Sequence, residues 1–231
     1  MPGGDNMRYA RSSVSRAAVG VYLALAAQIA TLTCLVVFEE ARGRTLARQM
    51  ALLGNDPHAP GAEAVSGAVT WFAVLILLVA ATTVAAGCSY FAWLRQAGAT
   101  PGMIGIAWFV PVLNLAAPAL LLHALREDAG LREGRRKTWR VLVAGWWASW
   151  LGFVFLILAR LPMTHSPQGK DLTGLGVAEL AVAVLAAVLC AATVRELTEA
   201  RMSARPSGIA PRLKLLPALR SLPRHTYPAQ D

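Results

Sequence analysis

The chain has 231 residues, of which 15% are charged and 56% are hydrophobic, and its mean hydropathy is +0.49. Ordinary soluble domains carry about 25% charged residues, and here the apolar residues form blocks about as long as a bilayer is thick. These features exclude a typical soluble protein and predict an all-α integral membrane protein.

A net charge of +9 is compatible with nucleic-acid binding. However, the Lys and Arg residues lie in tails and loops that flank the apolar blocks, and no zinc-finger spacing accompanies them, so we predict no nucleic-acid partner.

Five apolar blocks follow one another along the chain. They cover residues 17–38, 69–94, 103–125, 141–161 and 172–194. We divide the chain into a basic N-terminal tail (1–16), a helical membrane domain (17–200) and a basic, Pro-containing C-terminal tail (201–231). The loop after the first block begins with charges that alternate in sign, which is typical of an exposed helical start.

The third block carries Pro111, Asn114 and Pro118 near its middle, where a spanning helix would prefer none of them. Proline removes a backbone donor and clashes with the preceding turn. Irregular backbone at membrane depth is tolerated only when it is buried in protein or lines a wet cavity. We therefore predict four spanning helices plus one Pro-broken segment that is re-entrant or interfacial. Five spanning helices, with the third one kinked, are the alternative. We predict that Asn114 acts as a polar staple, that is, that it hydrogen-bonds to backbone carbonyls that the prolines leave free.

The distribution of basic residues orients the chain. If four helices span, seventeen of the 22 Lys and Arg residues share one side; if five span with the N-terminus outside, sixteen do. The excess of positive charge marks the cytoplasmic side, but these two counts do not separate the topologies. The arginines of the N-terminal tail and the acids of loop 39–64 favour four spans with both termini in the cytoplasm. Anionic lipid is then the predicted partner of the basic loops and the C-terminal tail.

Few polar residues lie inside the apolar blocks. Glu179, about seven residues into the fifth block, is the one acid deep within a block, and burial there requires a partner or water. Arg160, at the end of the fourth block, lies across a short loop from it. We predict an Arg160–Glu179 ion pair that fixes two helices, in preference to a proton or cation site. An interhelical hydrogen-bonding role is predicted for four uncharged residues: Gln28, Thr82, Thr83 and Ser89.

No motif of a known catalytic or metal site occurs: there is no GxSxG, Walker loop, HExxH, CxxC or paired-carboxylate pattern. We therefore predict no enzymatic activity, no metal site and no cofactor. The function predicted is that of a non-catalytic scaffold or regulatory component, with protein partners or a second copy of the chain as further partners. The alternative is a small channel or transporter whose path is lined by residues 107–118 and Glu179.

The stretch WFVPVLNLAAP resembles the signature of a bacterial, mainly actinobacterial, multi-pass membrane family known as domain of unknown function 4328. The matching residues are Trp108, Phe109, Val110, Pro111, Asn114, Leu115 and Pro118. The GWW at 145–147 and Trp150 are similar to the family's next helix. Ala116 and Ala119 stand where the family usually has Trp and Tyr, and Arg126 stands where a further Trp is expected. The resemblance implies a small helical bundle in the bacterial plasma membrane, and it brings no established activity.

Overall fold

The computed structural model describes residues 3–53, 62–110, 113–128, 136–160 and 175–203, and within these ranges the chain is almost entirely helical, with no strand. The elements in chain order are α1 (Gly3–Phe38), a π-helical turn (Glu39–Gly43), α2 (Arg44–Leu53), α3 (Ala62–Gln96), α4 (Pro101–Phe109), a 3-10 turn (Leu113–Leu115), α5 (Ala117–Asp128), α6 (Arg136–Arg160) and α7 (Val177–Ser203). The helical start that was predicted after the first apolar block is confirmed by the π-helical turn and α2.

Four helices, α1, α3, α6 and α7, are long and apolar enough to cross a membrane. They match the first, second, fourth and fifth apolar blocks, so the prediction of an all-α membrane protein with four spanning helices is confirmed. The described part of the N-terminal tail, from Gly3, continues α1 without a break. At the other terminus α7 extends to Ser203, and the rest of the predicted C-terminal tail lies outside the described residues.

The third apolar block does not form one helix. It divides into α4 and α5, which have 9 and 12 residues, whereas a spanning helix needs about 20. No fifth helix of spanning length occurs among the described residues. The predicted break in this block is therefore present, and the alternative of a fifth, kinked spanning helix does not describe this part of the chain.

The spanning helices pack in the spatial order α3, α1, α7, α6. Polar side chains join α1 to α3: Gln28 Nε2 donates to Thr83 Oγ1 at 3.1 Å, and the hydroxyls of Thr31 and Thr82 lie 3.0 Å apart. The interhelical role predicted for Gln28, Thr82 and Thr83 is confirmed. Ser89 makes no such bond to another described residue. The pairs also show that α1 and α3 run antiparallel.

The bundle has two ends. We call the end at which α3 finishes and α6 begins the hairpin end, after the α4–α5 hairpin described below. The opposite end is the one at which α1 finishes and α3 and α7 begin. Near the hairpin end the core is dense, and Trp93 of α3 is completely buried. Its Nε1 donates to Thr198 Oγ1 of α7 at 3.0 Å, which ties two helices that are separated by α1 elsewhere in the bundle.

Candidate functional site

Each of the two helices of the α4–α5 segment has a proline in its first turn. The Thr100 side chain accepts a hydrogen bond from Met103 N at 3.3 Å, and Pro101 is the first residue of α4, where its missing N–H costs nothing. Pro118 is the second residue of α5 and is completely buried, a position that also needs no donor. Pro118 therefore starts a helix rather than kinking one. Pro111 lies outside the described residues.

Both ends of this segment lie at the hairpin end of the bundle. α4 follows α3 after a four-residue turn, and the last turn of α5 lies beside the start of α6, where Arg136 Nη2 is 3.2 Å from Glu127 Oε1. In the connection between α4 and α5, the Leu115 carbonyl oxygen accepts a hydrogen bond from Trp147 Nε1 of α6 at 2.7 Å. Trp147 is eleven residues into α6, about 16 Å along its axis. The described chain thus rises to about half the height of α6 and returns, and we call its residues 101–110 and 113–128 the hairpin.

Two spanning helices hold the hairpin by its free carbonyl oxygens. Backbone that leaves a regular helix has carbonyls without a helical partner, and such groups need one in an apolar environment. At the tip, Trp147 of α6 supplies the partner of Leu115. At the base, Arg201 Nη2 of α7 donates to the carbonyl of Leu125, in the last turn of α5, at 2.8 Å. The hairpin is therefore fixed at both its tip and its base.

An aromatic cluster fills the space between the hairpin and its neighbours, with Trp108 of α4 at its centre. The Trp108 ring lies 5.8 Å from Tyr90 and 5.4 Å from Phe91 on α3, and 5.7 Å from Trp147 and 5.9 Å from Trp150 on α6. All four contacts are edge-on, an arrangement that the ring quadrupoles favour. The hairpin thereby bridges α3 and α6, which also meet directly where the rings of Tyr90 and Trp146 lie 5.8 Å apart.

The other residues predicted in this segment have different positions. Phe109 is 74% exposed at the tip, although its ring lies 6.5 Å from that of Phe91. The Asn114 backbone N donates to the Val110 carbonyl at 2.8 Å. Its side-chain Oδ1 is buried and accepts no hydrogen bond from a described residue. The Asn114 backbone N and Trp147 therefore serve the carbonyls of Val110 and Leu115, and a staple by the Asn114 carboxamide N–H stays a prediction.

Glu179 lies at the opposite end, not deep in a helix. α7 begins at Val177, because glycine is a poor helix former and Gly176 precedes it. Glu179 is thus in the first turn, where its Oε2 accepts a hydrogen bond from Gly176 N at 2.9 Å, and it is only 3% exposed. A carboxylate there caps the helix and complements its dipole. The Arg160 side chain lies outside the described part of the structure, so the Arg160–Glu179 pair stays a prediction.

The hairpin tip and Glu179 are well separated. Trp146 lies beside Cys190, so the level of the tip corresponds to about residue 189 of α7. Glu179 is ten positions before residue 189, about 15 Å along the helix axis. The two features that the channel alternative combines therefore lie at different depths of the bundle. The hairpin itself is bonded to Trp147 and Arg201, and the sequence does not predict these contacts.

The turn before the hairpin requires a glycine. Gly98 has φ of +105°, and Ala99 N bonds to the Leu94 carbonyl while Gly98 N bonds to that of Arg95, which closes α3 with a left-handed cap. We expect Gly98→Ala to destabilise the protein by roughly 1–2 kcal/mol, because a Cβ disfavours this conformation. SDS-induced unfolding in mixed micelles measures the loss. The control is Gly105→Ala, inside α4 with open space around it, which should be neutral or stabilising; equal losses would contradict this assignment.

Comparison with known proteins places the chain in a family. A family model described as Domain of unknown function (DUF4328) matches residues 55–199, which is more than half of the chain. Searches of curated proteins and of solved structures find no match. The matched range contains the whole hairpin and the rings that surround Trp108. The chain therefore belongs to the DUF4328 family.

Proposed function

We propose that this protein is a non-catalytic component of the bacterial plasma membrane that organises or regulates partners through the hairpin end of its bundle. In this proposal the hairpin is re-entrant: it enters the bilayer from the cytoplasmic side and returns to that side. The termini and the basic loops are cytoplasmic as well, so that the opposite end faces outwards.

The observation that carries the proposal is the coincidence of the hairpin's two ends with a basic surface. Arg95, Arg136, Lys137 and Arg140 are all exposed at the hairpin end. Positive charge next to spanning helices favours retention in the cytoplasm, which supports the orientation. Such a surface is complementary to acidic segments of partner proteins and to anionic lipid headgroups.

The packing of the hairpin supports a scaffold rather than a transport path. Aromatic rings fill the space around Trp108, and the carbonyls of Leu115 and Leu125 are bonded to α6 and α7. A carboxylate that holds the start of α7 is poorly placed to take up and release ions.

A flux measurement separates the two readings. Proteoliposomes that contain the full chain are expected to leak protons, Na⁺ and K⁺ no faster than protein-free vesicles, and Glu179→Gln is expected to leave this unchanged. The physical reason is that Glu179 supports a helix start instead of lining a path. Flux in the wild type that changes at least fivefold with Glu179→Gln would overturn the scaffold proposal in favour of transport.

Photo-crosslinking in cells tests the partner surface itself. A photoreactive residue in place of Lys137, which is exposed at the hairpin end, is expected to give discrete protein adducts. The same residue in place of Phe155, which is exposed in the other half of α6, should give lipid adducts only. Arg136→Glu combined with Arg140→Glu should abolish the protein adducts. Identical adduct patterns at Lys137 and Phe155 would contradict a partner surface at the hairpin end.

A further inference from the structure

A groove of about 520 Å³ runs along the opposite end of the bundle, between the end of α1 with its π-helical turn and the start of α3. Its walls include Val37 and Ala41 on one side and Ala68, Trp71 and Leu75 on the other. It is separate from the hairpin and from every contact described above. At its side, the rings of Phe38 and Phe72 stack at 6.1 Å and hold the two helices together.

Arg42 is the one charged side chain among the residues that line this groove. It is exposed, and it forms no ion pair with a carboxylate of the described residues. The groove is therefore an apolar surface with a single cation.

The π-helical turn separates this cation from the neighbouring acids. Glu39, at the start of the turn, is buried in the protein. Glu40 points towards α7: its Oε1 is 3.8 Å from the position that a Cβ on Gly176 would occupy. Arg42 follows on the side of α3. Turns of this type insert an extra residue into a helix and are frequent at functional sites, and here the turn directs the acids and the arginine to different neighbours.

The groove fits within one leaflet of a bilayer. The Phe38–Phe72 stack sets Arg42 about level with Ala68, and from there the lining continues to Leu75, a rise of about 10 Å. Half of a typical hydrocarbon core is about 15 Å thick. Its volume falls within the roughly 300–1,000 Å³ of small-molecule sites. An apolar groove of this length beneath a cation is complementary to an acyl chain beneath a phosphate, because each part of the lipid meets its chemical counterpart.

We propose that this groove is a binding site for one phospholipid with a net negative headgroup. The acyl chain lies along Val37, Ala41, Ala68 and Leu75, and the lipid phosphate accepts hydrogen bonds from the Arg42 guanidinium, a strong charge-assisted interaction. The site lies at the opposite end of the bundle from the partner surface and does not depend on the scaffold function.

Native mass spectrometry of the full chain, exchanged with phosphatidylglycerol and phosphatidylethanolamine in micelles, tests the headgroup. The wild type is expected to retain one phosphatidylglycerol in preference to phosphatidylethanolamine. Arg42→Gln should lower the retained fraction at least fivefold and remove the preference. The matched control is Arg48→Gln, an exposed arginine of α2 outside the groove, which should behave as the wild type. Retention that is unchanged by Arg42→Gln would overturn the proposal, as would equal retention of the two lipids by the wild type.

A second pair of variants tests the acyl-chain part. Ala68→Trp fills the groove and should abolish retention of both lipids, whereas Ala80→Trp, at an exposed position of the same helix, should retain phosphatidylglycerol as the wild type does. Lipid retention by a folded Ala68→Trp would place the lipid elsewhere and overturn the site. If Ala68→Trp does not fold, the Arg42 series decides alone. Efficient disulfide cross-linking of two chains through Cys34, another lining residue, would show that a second copy occupies the groove instead.

Discussion

Trp108→Ala is expected to lower the free energy of unfolding by about 2–3 kcal/mol and to release the hairpin from α3 and α6. The Trp108 ring contacts four other rings, two on each of these helices. Truncation of a packed Trp costs about 3–5 kcal/mol in a soluble core. In a bilayer the part of this cost that comes from packing remains, while the part that comes from transfer out of water is reduced. SDS-induced unfolding in mixed micelles measures the change.

Phe155→Ala is the control for this variant. Phe155 is an aromatic residue of α6 that is 69% exposed, so its removal should change the free energy of unfolding by less than about 0.5 kcal/mol. Similar losses for Trp108→Ala and Phe155→Ala would contradict the central role of Trp108 in the aromatic cluster.

Arg201→Leu is expected to destabilise the protein by about 2 kcal/mol and to loosen the base of the hairpin. Its guanidinium donates to the Leu125 carbonyl and lies against the turn at Gly98, so one side chain joins α7 to α5 and to the α3–α4 connection. Hydrogen bonds from charged groups contribute about 1.5–3 kcal/mol. Hydrogen exchange should show the amides in the last turn of α5 exchanging at least tenfold faster than in the wild type.

Arg195→Leu provides the comparison for Arg201. Arg195 is on the same helix, its side chain is 75% exposed, and its Nε is 2.7 Å from Glu199 Oε1 one turn away. Exposed pairs of this kind contribute little, so we expect a loss below about 0.5 kcal/mol and unchanged exchange in α5. Faster exchange in α5 for Arg195→Leu as well would mean that the general charge of α7, not the bond to Leu125, holds the hairpin.

The spanning helices were predictable because their signal is local. A run of about 20 apolar residues is visible without knowledge of the fold, and the four runs that span are the four that were predicted. The break in the third block was predictable for the same reason, since Pro118 and its neighbours act on the adjacent backbone. The sequence also contained the polar contacts between α1 and α3, because Gln28 and Thr83 stand out within apolar helices.

The parts that were not predictable depend on distant partners. Trp147 bonds to Leu115 across 32 residues, and Arg201 bonds to Leu125 across 76. No periodicity reports which carbonyl a tryptophan or an arginine will reach. The sequence pattern places Glu179 too deep, because the apolar block begins at residue 172 whereas the helix starts only after Gly176. The groove required the π-helical turn, which has no clear sequence signature.

The most direct test of the re-entrant hairpin is cysteine labelling at its two ends. In a variant with the three native cysteines replaced, Gln96→Cys and Glu127→Cys introduce exposed thiols just before the hairpin and near its end. With a membrane-impermeant maleimide, both are expected to react only after the cells are permeabilised, whereas Glu63→Cys, exposed at the opposite end, should react in intact cells. Labelling of Gln96→Cys and Glu127→Cys from opposite sides would contradict the account, because the third apolar block would then cross the membrane.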